Sequence, residues 1–263
     1  MPNLFVLMFH DIVDDNSQLS TYSGANIYHV EKKVFSEFIL QILNSGITIK
    51  TFDELNKTTI NDDIALITFD DGLKGVYSIV LPFFKKHNIR GILFITKNFI
   101  GKKNFLSEAQ LIELVEYGFE LGIHGTTHKY LTECDDTEIR KEIGDCKLFL
   151  EKIAGKPIKI MALPGGGGDE RVYRIACDMG IEKIFTSHPG KINKIDDLLL
   201  NRITISSRTT YKDLKRYLGG DFVRERLKWN FLQIPRKLIG DKNYASIRRR
   251  VFSLLGKLTK SDV

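Results

Sequence analysis

The chain has 263 residues, 43% of them apolar, which suffices to bury one sizeable α/β core. Three scattered cysteines, Cys134, Cys146 and Cys177, lie in helix-like segments and are expected as buried thiols of a reducing compartment, not as disulfides. The net charge of +6 is uneven: residues 212–263 hold 14 Lys/Arg against 5 Asp/Glu, a net of +9, and the remainder 25 against 28, a net of −3. No nucleic-acid motif accompanies that charge, so no nucleic-acid partner is expected. The first residues show no basic n-region, apolar h-region or cleavage site, and no stretch of 18 apolar residues occurs; the expectation is a cytoplasmic protein.

Along the chain the pattern is a strand followed by a helix, repeated. Residues 4–9 read as a strand, 30–44 as a helix and 64–69 as a strand; 75–87 are helical with a kink at Pro82, and 91–95 form another strand. Ser107 caps a helix running to Tyr117, residues 120–123 return as a strand, and 136–153 form a long amphipathic helix. Strand 158–163, helix 169–179 and strands 184–187 and 202–205 complete the series. Strands alternating with helices imply a parallel sheet, and about seven units suit a distorted TIM-like barrel.

Two clusters in this series carry chemistry. The run ALITFDDG (residues 65–72) drives a buried strand into adjacent carboxylates, Asp70 and Asp71, at the end where parallel α/β folds place their sites. Adjacent carboxylates repel, so an apolar strand ends in them when a cation or a catalytic task holds them; an acidic turn is the plain alternative. Some fifty residues on, EYGFELGIHGTTH brings His124 and His128 at i, i+4 after a strand-like segment, and no HExxH glutamate is present. One carboxylate with two imidazoles makes a three-ligand open site for zinc or a similar divalent ion that activates water, leaving the other aspartate to take a proton.

TFDDG (68–72) and HGTTH (124–128) resemble the first two motifs of the polysaccharide deacetylases, the NodB-homology or family-4 carbohydrate esterases. VLMFHDI (6–12) resembles the first strand of many members, the stretch 161–187 the third-motif strand, loop and helix, and NRITI (201–205) a late strand; the likeness spans about residues 4–218. It implies a distorted (β/α)7 barrel of the NodB-homology type, with Asp70 as general base and Asp71, His124 and His128 as metal ligands. Many members carry an arginine two residues before the third-motif proline, bracing the catalytic aspartate, and an aromatic residue after it. Here those positions are Ala162 and Gly165. The Gly165 N–H can still serve as an oxyanion donor, because a main-chain group needs no particular side chain; a loop ahead of a helix cap at Asp169 is the plain reading of 165–168. The family's last motif, which supplies a general-acid histidine, has no clean match. His10, at the end of the first strand, and His188 are the two candidates, with His10 preferred; His29 and His87 sit among polar residues and are expected at the surface.

The expected organisation is a catalytic domain at 1–218 with a basic amphipathic extension at 219–263. In the extension Ile247, Val251, Leu254, Leu255 and Leu258 form an apolar stripe beside Arg248, Arg249 and Arg250. Trp229, Phe231 and Leu232 lie near Arg224, Arg226 and Lys228, in the manner of a membrane-surface helix at the inner membrane face; a helix that packs its stripe on the barrel and solvates its charges is the alternative. Together these readings describe a metal-dependent hydrolase, with a zinc-like ion, removing an N-acetyl or related acyl group from an amino sugar of a surface polysaccharide, glycolipid or lipid-linked precursor in cell envelope biosynthesis. O-deacetylation or deformylation on the same site, and a non-catalytic carbohydrate-binding protein, are the alternatives.

Overall fold

The computed structural model describes residues 3–14, 26–55, 62–192 and 194–239. Its strands are β1 (Leu4–Phe9), β2 (Asp11–Val13), β3 (His29–Glu31), β4 (Thr48–Lys50), β5 (Ile64–Asp71), β6 (Ile92–Ile95), β7 (Glu120–Ile123), β8 (Ile160–Ala162), β9 (Lys183–Phe185), β10 (Leu199–Leu200) and β11 (Ile203–Thr204). The helices are α1 (Lys32–Asn44), α2 (Phe52–Leu55), α3 (Leu81–His87), α4 (Glu108–Tyr117), α5 (Asp136–Ala154), α6 (Glu170–Asp178), α7 (Tyr211–Leu218) and α8 (Val223–Ile239).

Nine strands form one sheet in the order β10-β9-β8-β7-β6-β5-β1-β11, with β4 beside β5, and every pairing between these strands is parallel. The two ends of this order, β10 and β11, are consecutive in the chain and separated by Asn201 and Arg202 alone. One short segment therefore pairs with β9 through its first half and with β1 through its second, and brings the edges of the curled sheet together. This is the distorted barrel that the alternating pattern implied, with the helices outside. β2 and β3 pair as a separate parallel ribbon.

Strand parity sorts the apolar residues into two cores. Leu66, Phe94, Ala162, Phe185 and Leu200 belong to an inner cluster, while Phe5, Leu7, Phe9, Ile67, Leu93 and Leu121 belong to the larger cluster that the helices cover. Gly122 is the gap in the inner layer: a Cβ there would stand 2.5 Å from the Phe94 ring. Asp70 shares the parity of Ile64, Leu66 and Thr68, so the strand aims its carboxylate into the barrel instead of out towards the helices.

Helix ends follow local chemistry. Ser107, Asp135 and Thr210 each close a capping box, and Asp169 caps α6 by accepting from the Val172 N–H. At the expected kink the backbone makes a π turn over Val76–Val80 before α3, with Pro82 in the first turn of α3. The helix expected from residue 30 begins at Lys32, because His29–Glu31 pairs with β2 instead. Two further expectations are corrected: His29 is fully buried, and of the three free cysteines only Cys134 and Cys146 are buried while Cys177 is exposed. The apolar stripe at 247–258 lies outside the described residues.

Candidate active site

All sheet strands run the same way, so β1, β5, β7, β8 and β9 open their C-terminal ends on one face. His10 follows β1, Asp70 and Asp71 end β5, His124 follows β7, and Pro164 and Gly165 follow β8. His124, Gly125, Thr126, Thr127 and His128 form a tight turn held from beneath by Glu142 of α5. The Glu142 carboxylate is buried; its Oε2 accepts from the Thr126 and Thr127 N–H groups, each at 2.8 Å, and its Oε1 from the Thr127 hydroxyl. This clamp sets the spacing of the two histidines.

Asp71, His124 and His128 each offer one ligand atom, and the three atoms lie within 4.8 Å of one another. Nε2 of His124 and of His128 stand 3.6 and 3.3 Å from Asp71 Oδ1. Asp71 and His128 hold left-handed backbone angles, φ 74° and 63°, which non-glycine residues adopt at a cost. At Asp71 this turn departs from strand geometry just where the carboxylate meets the histidines. The imidazole of His124 has its Nδ1 2.9 Å from the Ala162 carbonyl. A carbonyl only accepts, so Nδ1 carries the proton and the Nε2 lone pair faces Asp71. Burial lowers the His124 pKa to about 4 despite the raising influence of Asp70, which keeps the ring neutral near pH 7. Asp71 Oδ1 is buried with no hydrogen-bond donor among the described residues. A buried carboxylate oxygen facing two imidazole nitrogens is a set of three ligand atoms, and one carboxylate with two imidazoles fits a divalent ion of the zinc type.

Asp70 has a different environment. Arg202 Nη1 and Nη2 donate to its Oδ1 and Oδ2 at 2.7 and 2.9 Å, a bidentate pair, and Arg202 Nε donates to the Thr186 carbonyl at 2.9 Å. The guanidinium is fully buried and lies over the Phe94 ring, 5.2 Å from its centroid. Burial alone would raise the Asp70 pKa, but Arg202 and then His124 outweigh it and hold the group at about 2. Its Oδ2 is 3.8 Å from His124 Nε2, placing it beside the three-ligand cluster while Arg202 occupies its other side. Arg202 was not among the residues singled out from the sequence. It sits in the two-residue break between β10 and β11 and reaches a partner 132 residues away. The position that resemblance assigns to a bracing arginine is Ala162, whose small side chain belongs to the inner core.

The remaining candidates separate. His10 stacks on Tyr28 with ring centroids 4.5 Å apart, and its Nδ1 is buried without a partner among the described residues. Its pKa is lowered, first by burial and against the pull of Asp70 and Asp71, whose fields reach it; Arg202 and His128 act in the same direction as burial. His10 thus sits within the electrostatic reach of the two aspartates. His188 faces elsewhere: its ring is 6.1 Å from Trp229 of α8, and the charge that bears on it is Arg226. Gly165 has φ +66°, and a Cβ there would lie 2.1 Å from the Tyr130 ring. Tyr130 therefore fills the space where a side chain at 165 would project. Gly166 and Gly168 are hemmed in by Ser187 and Tyr173 in the same way, so side chains at 165, 166 and 168 would each meet a neighbour.

A curled parallel barrel with two acids ending one strand and a paired-histidine turn after another is the part of the chain on which its similarity to known proteins falls. Residues 57–184, just under half of the chain, match the polysaccharide deacetylase family profile. YxkH of Bacillus subtilis (strain 168) is 25% identical over 207 residues, covering 76% of this chain and 71% of that protein. The peptidoglycan-N-acetylglucosamine deacetylase of Bacillus cereus is 28% identical over 48% of this chain and 58% of its own length, so the match takes in little more than half of that enzyme. The Streptococcus pyogenes deacetylase PplD has the same fold, with a TM-score of 0.73 at 21% identity over 83% of this chain and 99% of its own.

Proposed function

We propose that this protein is a divalent-metal-dependent hydrolase that removes the N-acetyl group from an amino sugar within a glycan. One observation carries the reading: the Asp71–His124–His128 donor cluster lies directly beside a second carboxylate, Asp70, that a buried arginine keeps ionised. Names among the relatives, such as peptidoglycan-N-acetylglucosamine deacetylase and peptidoglycan-N-acetylmuramic acid deacetylase, support the substrate class.

Asp71, His124 and His128 would hold the ion, which when bound supplies a Lewis acid and acidifies water to a useful nucleophile near neutral pH. Asp70 accepts the proton of that nucleophile. Its low pKa keeps it in the accepting form, and the Arg202 fork fixes the direction of its lone pairs. The Gly165 N–H, at the mouth of the same face, is assigned to the developing oxyanion. His10 is assigned to the proton needed by the departing amine. It is half-buried and lies within the electrostatic reach of Asp70 and Asp71, whereas His188 stands against Trp229 of α8. A non-catalytic reading draws its force from the absent third-motif arginine, and Arg202 supplies that brace from the break between β10 and β11.

Acetate release from a chitin oligosaccharide by the zinc-loaded protein tests the reading. Asp70→Asn should lose turnover by roughly 10³-fold or more while retaining zinc, since it removes a base and not a ligand. Unchanged rates in that variant would place the base elsewhere.

A further inference from the structure

We propose that α8 seats the protein on anionic phospholipid bilayers through the face bearing Val223, Leu227 and Phe231. These three side chains are 64%, 65% and 73% exposed, although each is apolar and two are large. At roughly 100° per residue they fall within an arc of about 80° on the helix. Exposed apolar residues scattered singly need no explanation; three in register on one helix do.

The opposite side of α8 is occupied. Glu225 Oε1 accepts from Arg216 Nη2 at 2.7 Å and from the Tyr217 hydroxyl at 3.2 Å, and Trp229 is half-buried against His188. Both positions lie about 160° from the centre of the apolar stripe by the same helical geometry. Phe222, just before the helix, is buried and stacks on Tyr217 at 6.0 Å. The helix is therefore fixed to the barrel by one face, and its stripe points away. Trp229, grouped with Phe231 in the sequence reading, belongs to the anchoring face.

Charge selects the occupant. Arg224 and Lys228 flank the stripe on one side and Arg226 on the other, all three exposed. Residues 212–263 carry the net +9. A second copy of this helix would bring like charges together, and the chain's own residues 247–258 carry three consecutive arginines beside their apolar positions. A surface that is both apolar and anionic meets the apolar stripe and the cations at once. The proposal stands apart from the deacetylase reading.

Flotation of the full-length protein with vesicles tests it. Binding should be at least tenfold tighter to phosphatidylglycerol vesicles than to phosphatidylcholine vesicles, a difference of about 1.4 kcal/mol, and should weaken as salt rises. Leu227→Asp combined with Phe231→Asp should lose at least tenfold in binding, and Arg224→Gln with Lys228→Gln should do the same. Melting temperature and acetate release from a soluble oligosaccharide should not change. Equal binding to the two lipids, or undiminished binding by the aspartate variant, would overturn the proposal. So would a solution dimer that this variant dissolves without any vesicle binding, which assigns the face to a second copy. A lowered melting temperature in that variant without vesicle binding would assign it to the chain's own C-terminal residues.

Discussion

Asp70 keeps its charge inside the barrel because Arg202 is buried with it. Removing the guanidinium leaves an uncompensated buried carboxylate, and such removals cost on the order of 3–5 kcal/mol. Arg202→Met should therefore lower stability by about that amount. Arg202→Lys should keep the charge but lose the two-pronged geometry, with kcat falling on the order of 10²-fold and zinc content unchanged. Chemical denaturation together with kcat and metal content checks both; wild-type kcat in Arg202→Lys would show that orientation of Asp70 is not what the arginine provides. Glu142 acts one step further out. Its two oxygens accept from Thr126 and Thr127, and an amide would turn a donor towards one of them. Glu142→Gln should weaken zinc affinity roughly 10- to 100-fold through the histidine turn. A chelator-competition Kd equal to the parent's would sink this role.

At the scale of elements, β7 carries two titratable groups of opposite consequence. His124 lies beyond its C-terminal end in the site, and Glu120 begins the strand, buried at the other end of the barrel, with Oε2 accepting from the Asp53 N–H at 3.0 Å. Burial first, then Asp53, raises the Glu120 pKa from 4.5 to about 8. A carboxyl with a raised folded-state pKa binds its proton more tightly in the native protein. The stability it contributes is present below about pH 4.5 and is lost as pH rises through about 8. Melting temperatures across pH 5–8.5 should fall more steeply for the parent than for Glu120→Gln; equal slopes would contradict the assignment.

The same scale shows what the chain made legible. TFDDG and HGTTH each gather their chemistry within five residues, and the strand entering the first has an unbroken apolar run. Ser107 and Asp169 cap the helices they were expected to cap. β3 and β4 have three residues each, too few for a period to emerge, and β10 and β11 have two. Arg202 was hidden for a related reason: it lies in an irregular break whose meaning appears only when the sheet curls and its two ends meet. His29 looked exposed because its sequence neighbours are polar, but pairing of β3 with β2 buries it.

For the whole molecule, the curled nine-stranded sheet wraps an inner core of aromatic and aliphatic side chains, and the polar groups of the candidate site crowd at one rim. The central claim is that Asp71, His124 and His128 are a metal centre and Asp70 is not part of it. Zinc content after reconstitution and exhaustive dialysis, measured for the parent, Asp70→Asn and Asp71→Ala, tests this most directly. The account predicts about one ion per chain for the first two and less than about a tenth of that for Asp71→Ala. Full zinc occupancy in Asp71→Ala, or none in the parent, would contradict it.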